Sequence, residues 1–303
     1  MISAALLLAS AAAAAEVSAP SPSELQVHAW ASGGYRMHSE QAEDSGFYVG
    51  MARLVANYEH GWQRSERPHA VHTFLQVEAA SGSVDLLDAR LDYQPAPWLR
   101  LRAGRFKAPV SADYLVPATK MLLAERAMLV DLAPRRLIGA EAAVQAGKLG
   151  AEVALFEWDE DLLTVGEAHY SSGPVALHAA AGQRSGETND TRLDAAVVLH
   201  PGRWEAHAEA LAVLDGGAVP AVGAFASAGY RFGDPATEED ALAVEPLVAL
   251  DLRSEDGGQD WAGTGAVDIF WDGWHLVQTL SYTHAVADGV PDHVLTAQLR
   301  GGF

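Results

Sequence analysis

Leu87-Asp88-Ala89-Arg90-Leu91-Asp92-Tyr93 alternates apolar and charged side chains without a break. Such a run buries one face only when it is extended, because successive side chains of a strand point to opposite sides. The same period runs outward in both directions. Val71, Thr73, Leu75 and Val77 alternate with His72, Gln76 and Glu78 upstream. Leu99 and Leu101 flank Arg100 downstream, and Leu193, Ala195, Val197 and Leu199 enclose Asp194 much further on. Turn signals such as Ser81-Gly82, Pro95-Ala96-Pro97, Gly147-Lys148, Pro201-Gly202 and Asp272-Gly273 separate the runs. About sixteen segments result, near 24–38, 45–58, 69–80, 84–93, 98–105, 136–146, 149–157, 163–170, 175–183, 191–200, 203–214, 220–232, 241–253, 259–271, 274–285 and 292–303.

Composition narrows what such a chain can be. Of 303 residues, 49% are hydrophobic, so intrinsic disorder is excluded. The absence of cysteine excludes a disulfide scaffold, thiolate zinc sites and iron–sulfur clusters. With 20 Lys+Arg against 40 Asp+Glu the net charge is -20, which makes nucleic acid a poor partner. The one continuous apolar run, Met1 to Ala15, ends in small residues and reads as a signal peptide over 1–15, although its start lacks the usual Lys or Arg. It is too short to span a bilayer as a helix, and residues 16–303 contain no run of about 18 apolar residues. An exported chain of this kind is either soluble or a membrane-spanning β-barrel.

Both a soluble sandwich and a barrel predict alternation. Each segment is long enough for the roughly 9–11 residues a tilted strand needs to cross a bilayer, and their number is even. Phe47, Tyr48, Tyr58, Trp62, Tyr93, Trp98, Phe156, Trp158, Tyr170, Trp204, Tyr230, Phe232, Trp261, Phe270, Trp271, Trp274 and Tyr282 gather at predicted strand ends, around mid-strand Ala, Leu and Val. That is the distribution of two interfacial girdles about an aliphatic belt, whereas a sandwich places its large aromatics mid-strand. The reading is therefore an all-β protein, a transmembrane antiparallel barrel of about sixteen strands in the outer membrane of a Gram-negative-type cell. The final run, Leu295 to Phe303, resembles the C-terminal strand of outer-membrane barrels, which implies recognition by the barrel-assembly machinery through Phe303.

With both termini in the periplasm, the longest connection, near 106–135, is the third external loop. Met121, Leu122, Ala124, Met128, Leu129 and Leu132 predict a short helix over Lys120 to Leu132, whose apolar face needs a wall to pack on. Around this loop stand Ala103-Gly104-Arg105-Phe106-Lys107-Ala108-Pro109, then Glu125-Arg126, then Leu132-Ala133-Pro134-Arg135-Arg136-Leu137-Ile138-Gly139. The stretch resembles the phosphate-selective porin O and P family over about 40 residues. The resemblance implies a trimeric outer-membrane barrel, a third loop folded into the lumen, and diffusion of anions such as phosphate past arginines and lysines.

Charge in the same window agrees with that implication. Residues 100–136 hold Arg100, Arg102, Arg105, Lys107, Lys120, Arg126, Arg135 and Arg136 against Asp113, Glu125 and Asp131, so the window is +5 and the remainder -25. A positive island at a narrow constriction selects anions locally, and arginine suits bidentate contact with oxyanions. These eight residues are the candidate anion-binding and constriction set. The same residues could instead anchor the loop by pairing with carboxylates. The chain has only three lysines, and lumen-facing candidates elsewhere are mixed, with Arg53 and Arg90 against Glu78, Asp88, Asp92 and Asp194. Three readings follow: an anion-preferring porin, a weakly selective or cation-preferring general porin, and a plugged structural barrel.

No catalytic or metal site is indicated, and no cofactor is implied. The chain lacks G-x-S-x-G, P-loop and H-E-x-x-H motifs. His28, His72, His178, His207 and His275 fall on separate strands, and Ser281 and His284 are three apart and so point to opposite faces. The expected partners are small anionic solutes, the lipid bilayer, the assembly machinery and two further copies of the chain.

Overall fold

Alternating runs joined by turns close on themselves. The computed structural model describes residues 23–39, 45–64, 67–80, 83–116, 123, 125–215, 221–233, 242–255, 258–271, 276–287 and 289–302. Its first eight strands are β1 (Glu24–His38), β2 (Gly46–Arg64), β3 (Arg67–Ala80), β4 (Ser83–Ala96), β5 (Leu99–Lys107), β6 (Arg136–Ala146), β7 (Leu149–Trp158) and β8 (Asp161–Ser172). The remaining eight are β9 (Val175–Ser185), β10 (Asp190–Leu199), β11 (Trp204–Asp215), β12 (Ala221–Tyr230), β13 (Leu242–Glu255), β14 (Gly258–Trp271), β15 (Leu276–Ala287) and β16 (Val290–Gly302). Each pairs antiparallel with its sequence neighbours, and β1 closes the ring on β16 through Trp30↔Gly302 to His38↔Val294. Closure removes every sheet edge along the paired registers, which is what hydrocarbon requires of a spanning sheet.

The two faces differ as the alternation predicts. Leu54, Leu91, Leu101, Val153, Leu193, Val248 and Leu280 are exposed and point outward, while Asp88, Asp92, Glu141, Glu167, Asp194, Glu209, Asp251 and Arg300 are buried and point inward. A soluble sandwich has the reverse arrangement. Phe47, Trp98, Trp204, Trp261 and Trp271 lie exposed at or near strand ends, as the two girdles require, whereas Tyr282 is exposed in the middle of β15. Phe156 and Phe270 depart from that pattern, since both are fully buried and face inward.

The connection expected over 59–68 is instead strand, for β2 runs to Arg64 and β3 begins at Arg67, with pairing through Arg64↔Arg67. Gly61↔Ala70, Trp62↔His69 and Gln63↔Pro68 continue the β2–β3 ladder into the stretch expected to be a connection. The helix expected over Lys120 to Leu132 is not formed over 125–132, the continuous part of it that is described. Glu125 to Ala127 are non-helical, and only a single 3-10 turn, Met128–Leu132, follows. Lys120, Met121, Leu122, Ala124, Trp274, the signal peptide expected over 1–15 and Phe303 lie outside the described residues.

Candidate functional site

The connection between β5 and β6 turns sharply as it leaves the wall. Val110 N–H donates to the carbonyl of Ala108 at 2.8 Å, and Ser111 takes φ +147°, a region that L-residues rarely adopt. Ser111 Oγ then accepts the Tyr114 N–H at 3.1 Å and caps α1 (Ala112–Leu115). The turn carries the chain across to the far wall. There the Asp113 N–H donates to Glu209 Oε2 on β11 at 2.7 Å, and Met128 N–H donates to the Asp251 carboxylate on β13. Arg192 on β10 donates from Nε to the Leu132 carbonyl at 3.2 Å, and Arg36 on β1 pairs with Glu125. Glu209, Asp251 and Arg192 share the inward face, so these bonds are made from inside the barrel. Met128 N–H, committed to Asp251, and Ala127 N–H, which donates to Asp113 Oδ2 at 3.4 Å, are not available to a helix through 125–127, which accounts for the irregular path there.

The contact is dry. Phe106, Val110, Leu129 and Leu132 form one buried apolar cluster with Phe156 of β7, Leu163 and Val165 of β8, Leu211 of β11 and Phe225 of β12. The Phe106 and Phe156 rings pack tilted at 58°, with centroids 4.9 Å apart. The fit is close at Gly223 of β12, where a Cβ would stand 2.5 Å from that of Leu129. An open aqueous interior is polar on this face, and the sequence does carry the departure. Leu162-Leu163-Thr164-Val165 and Leu211-Ala212-Val213-Leu214 are apolar on both faces, which marks wall covered from within.

The opposite wall, β2 to β7, carries a ladder of arginines and carboxylates. Arg100 Nη2 donates to Glu141 Oε1 at 2.9 Å and to Glu152 Oε2 at 3.3 Å. Arg102 donates from Nε and Nη2 to Asp92 at 2.7 and 3.1 Å, and from Nη1 to Glu141 at 3.3 Å. Arg136 bonds Asp88 at 2.9 Å, Arg53 bonds Glu78, and Arg90 stands 3.5 Å from Asp92. Charge-assisted bonds of this kind hold the guanidiniums in fixed orientations.

The candidate cations therefore divide. Arg100, Arg102 and Arg136 belong to this ladder. Lys107 and Arg126 act on the connection itself: Lys107 Nζ donates to the carbonyls of Tyr114 and Val116, and Arg126 to those of Asp113 and Val116. Arg135 is exposed and makes no ion pair among the described residues. Arg105 is a correction to the lumen set. It pairs with Ile138, whose side chain is exposed on the outward face, while its neighbours Gly104 and Phe106 take the inward positions. Lys120 lies outside the described residues.

Burial shapes the charges that hold the connection. It raises the Asp113 carboxyl above its ordinary value, with Arg126 opposing and Glu209 reinforcing the shift. It lowers Arg126, with Asp113 opposing. Deeper in the wall His178 bridges Glu167 and Asp194 at 3.0 Å each, a polar wall residue held in place by carboxylates. Among the described residues, no group of three His, Asp or Glu side chains is placed to hold a metal ion.

A closed barrel with an aliphatic outside and a charged inside can stand only in a bilayer. The chain is an outer-membrane β-barrel. No protein-family model and no curated protein sequence matches it. Solved structures do match its fold. An anion-selective porin from Comamonas acidovorans aligns at TM-score 0.69 and 11% identity, covering 93% of this chain and 100% of that one. OmpT, an outer membrane protein of Vibrio cholerae solved in a trimer form, aligns at TM-score 0.69 and 9% identity with the same coverage. A mutant of the Rh. blastica porin aligns at TM-score 0.60 and 11% identity, covering 92% and 100%. At these identities the likeness is one of fold.

Proposed function

We propose that the barrel is a porin, passing small hydrophilic solutes by diffusion through the interior left between the inserted connection and the arginine ladder. The observation that carries this reading is the connection fastened to the far wall by Glu209, Asp251 and Arg192, opposite a wall of ionised pairs. A solute crossing between them meets fixed charges of both signs a few ångströms apart, the arrangement that admits polar solutes and rejects apolar ones.

The ladder supports weak ionic preference rather than a phosphate site. Arg100, Arg102 and Arg136 each have carboxylate partners, so an oxyanion must compete with Glu141, Asp92 or Asp88 for the guanidinium. Anion preference then rests on the exposed Arg135 and on unequal field along the ladder. The anion-selective porin of the same fold supports keeping anions as the test case, and the trimer form of the Vibrio protein supports a homotrimer here. Export by the 1–15 segment and assembly through Phe303 complete the reading.

A plugged structural barrel is the second reading, favoured by the dry cluster around Leu129 and Val110. Planar-bilayer recording separates the two. The porin gives stepwise conductance with a small reversal potential in a salt gradient, whereas a barrel that inserts, as shown by heat-modifiable migration, yet never conducts is plugged.

A further inference from the structure

The outward face of the barrel is aliphatic, and Arg105 interrupts it. Its cross-strand neighbours are Ala89 on β4 and Ile138 on β6, and Ala103 precedes it on the same face. The guanidinium makes no hydrogen bond, ion pair or ring contact among the described residues, and its Nε is buried without a partner. Glu157 of β7 lies in the same row, beyond Ile138, and forms no ion pair with it. Arg105 is thus a half-buried cation on the lipid-facing side of the wall, with nothing among the described residues to neutralise it.

Its depth suggests what does. The row runs Arg105↔Ile138↔Glu157↔Leu162, and β7 ends at Trp158, one residue beyond Glu157. The row therefore sits at the rim from which the long connection departs, where the cost of a lipid-facing charge falls away. The aliphatic stem of an arginine lies along the wall while its head reaches the interface. The groups of matching charge at that depth are lipid phosphates, and a planar guanidinium with parallel donors fits a phosphate in two-point contact.

We infer that Arg105 is the anchor for an anionic lipid phosphate, one with no choline or other cation of its own to neutralise it, at the rim of β5 and β6, and not part of the permeation path. A bound headgroup pairs the orphaned guanidinium and fixes one lipid to the barrel beside the root of the inserted connection.

The test uses the full chain folded into phosphatidylcholine vesicles with and without a minor fraction of phosphatidate. Wild type, Arg105→Gln and Arg105→Lys are extracted into mild detergent and the retained phosphatidate is counted by native mass spectrometry. Wild type retains phosphatidate and the glutamine variant loses about tenfold in retention, the scale of one charge-assisted contact. The lysine variant, which keeps the charge, retains most of it. Inorganic phosphate at the same phosphate concentration leaves no adduct. Equal retention by wild type and the glutamine variant overturns the assignment, as does an inorganic phosphate adduct in place of the lipid. An Arg105→Gln oligomer that falls apart with lipid retention unchanged assigns the residue to contact with a second copy, and overturns it too. Should the glutamine variant fail to fold, wild-type retention that is insensitive to salt overturns the charge basis.

Discussion

Glu209 on β11 accepts the backbone N–H of Asp113 at 2.7 Å, so a bond to the connection after β5 is made from a strand six places round the barrel. The acceptor is charged and buried, which places it among the stronger hydrogen bonds, about 1.5–3 kcal/mol. Glu209→Ala removes the acceptor and leaves a buried N–H unsatisfied. The variant inserts and migrates as a folded barrel, but its connection loosens. In single-channel records the open level becomes noisier and rises. An unchanged record from a folded Glu209→Ala barrel places the hold elsewhere, at Asp251 and Arg192.

A second outcome concerns pH. Burial raises the Asp113 carboxyl, so the docked segment binds a proton more readily than the same segment undocked. Between the ordinary aspartate value of 3.8 and the raised one, the docked form holds more protons. Docking therefore strengthens as pH falls into that window and weakens as pH rises through it. Trypsin cleavage at Arg126 in the folded barrel slows on mild acidification after correction for trypsin's own activity on a small peptide. Asp113→Asn keeps an acceptor for Ala127 N–H but not the charge, so its cleavage is slow at both pH values. A wild-type segment that is cut faster in acid contradicts the sign.

Packing gives a third. A Cβ at Gly223 would meet Leu129 Cβ at 2.5 Å and Leu129 Cα at 2.8 Å, and neither contact can be relieved by a rotamer change, since both atoms are fixed by the backbone. Gly223→Ala costs about 1–3 kcal/mol of local overpacking. It pushes the 3-10 turn Met128–Leu132 off the β12 wall, while the outward residues of β12 are untouched. Hydrogen exchange at Val130 and Ala133, whose N–H groups bond within this turn, rises in the variant and that of the β12 ladder does not. Equal protection in both proteins means that the wall itself yields.

The barrel was legible from the alternation because period two is a property of the backbone, and the burial of Asp88, Glu167 and Asp194 against the exposure of Leu91, Val153 and Leu193 repeats it residue by residue. Parity also makes Arg105 readable from sequence once β5 is assigned, since it shares the face of Leu101 and Ala103. Grouping it with Arg100 and Arg102 weighed net charge over face. The connection was less legible. Its spacing of Met and Leu favoured a helix, but the path was set by acceptors on β11 and β13, distant in sequence, to which no local pattern points. The dry cluster did leave a mark, in the double-sided apolar runs Leu162–Val165 and Leu211–Leu214.

The last outcome concerns selectivity and follows from the pairing of the ladder. Arg102 lies between Asp92 and Glu141, with the Phe106 ring 5.2 Å from its guanidinium carbon. Arg102→Gln leaves those carboxylates with less neutralisation, so the reversal potential in a salt gradient moves toward cations. Asp92→Asn does the opposite, because it releases Arg102 and Arg90 from their shared acid. At about 0.15 M salt the screening length is about 8 Å, so only charges beside the path act on a passing ion. Arg184, held by Asp161 where β8 and β9 meet the rim, is the control, and Arg184→Gln shifts the potential far less. Charge reversal at Arg135, exposed and unpaired among the described residues, moves preference toward cations without loosening the connection. Reversal at Arg126 also frees the carbonyls of Asp113 and Val116, and so alters conductance as well as selectivity. Shifts of the same sign from Arg102→Gln and Asp92→Asn are incompatible with a path along this wall, and place the passing ion beyond the reach of β4 and β5.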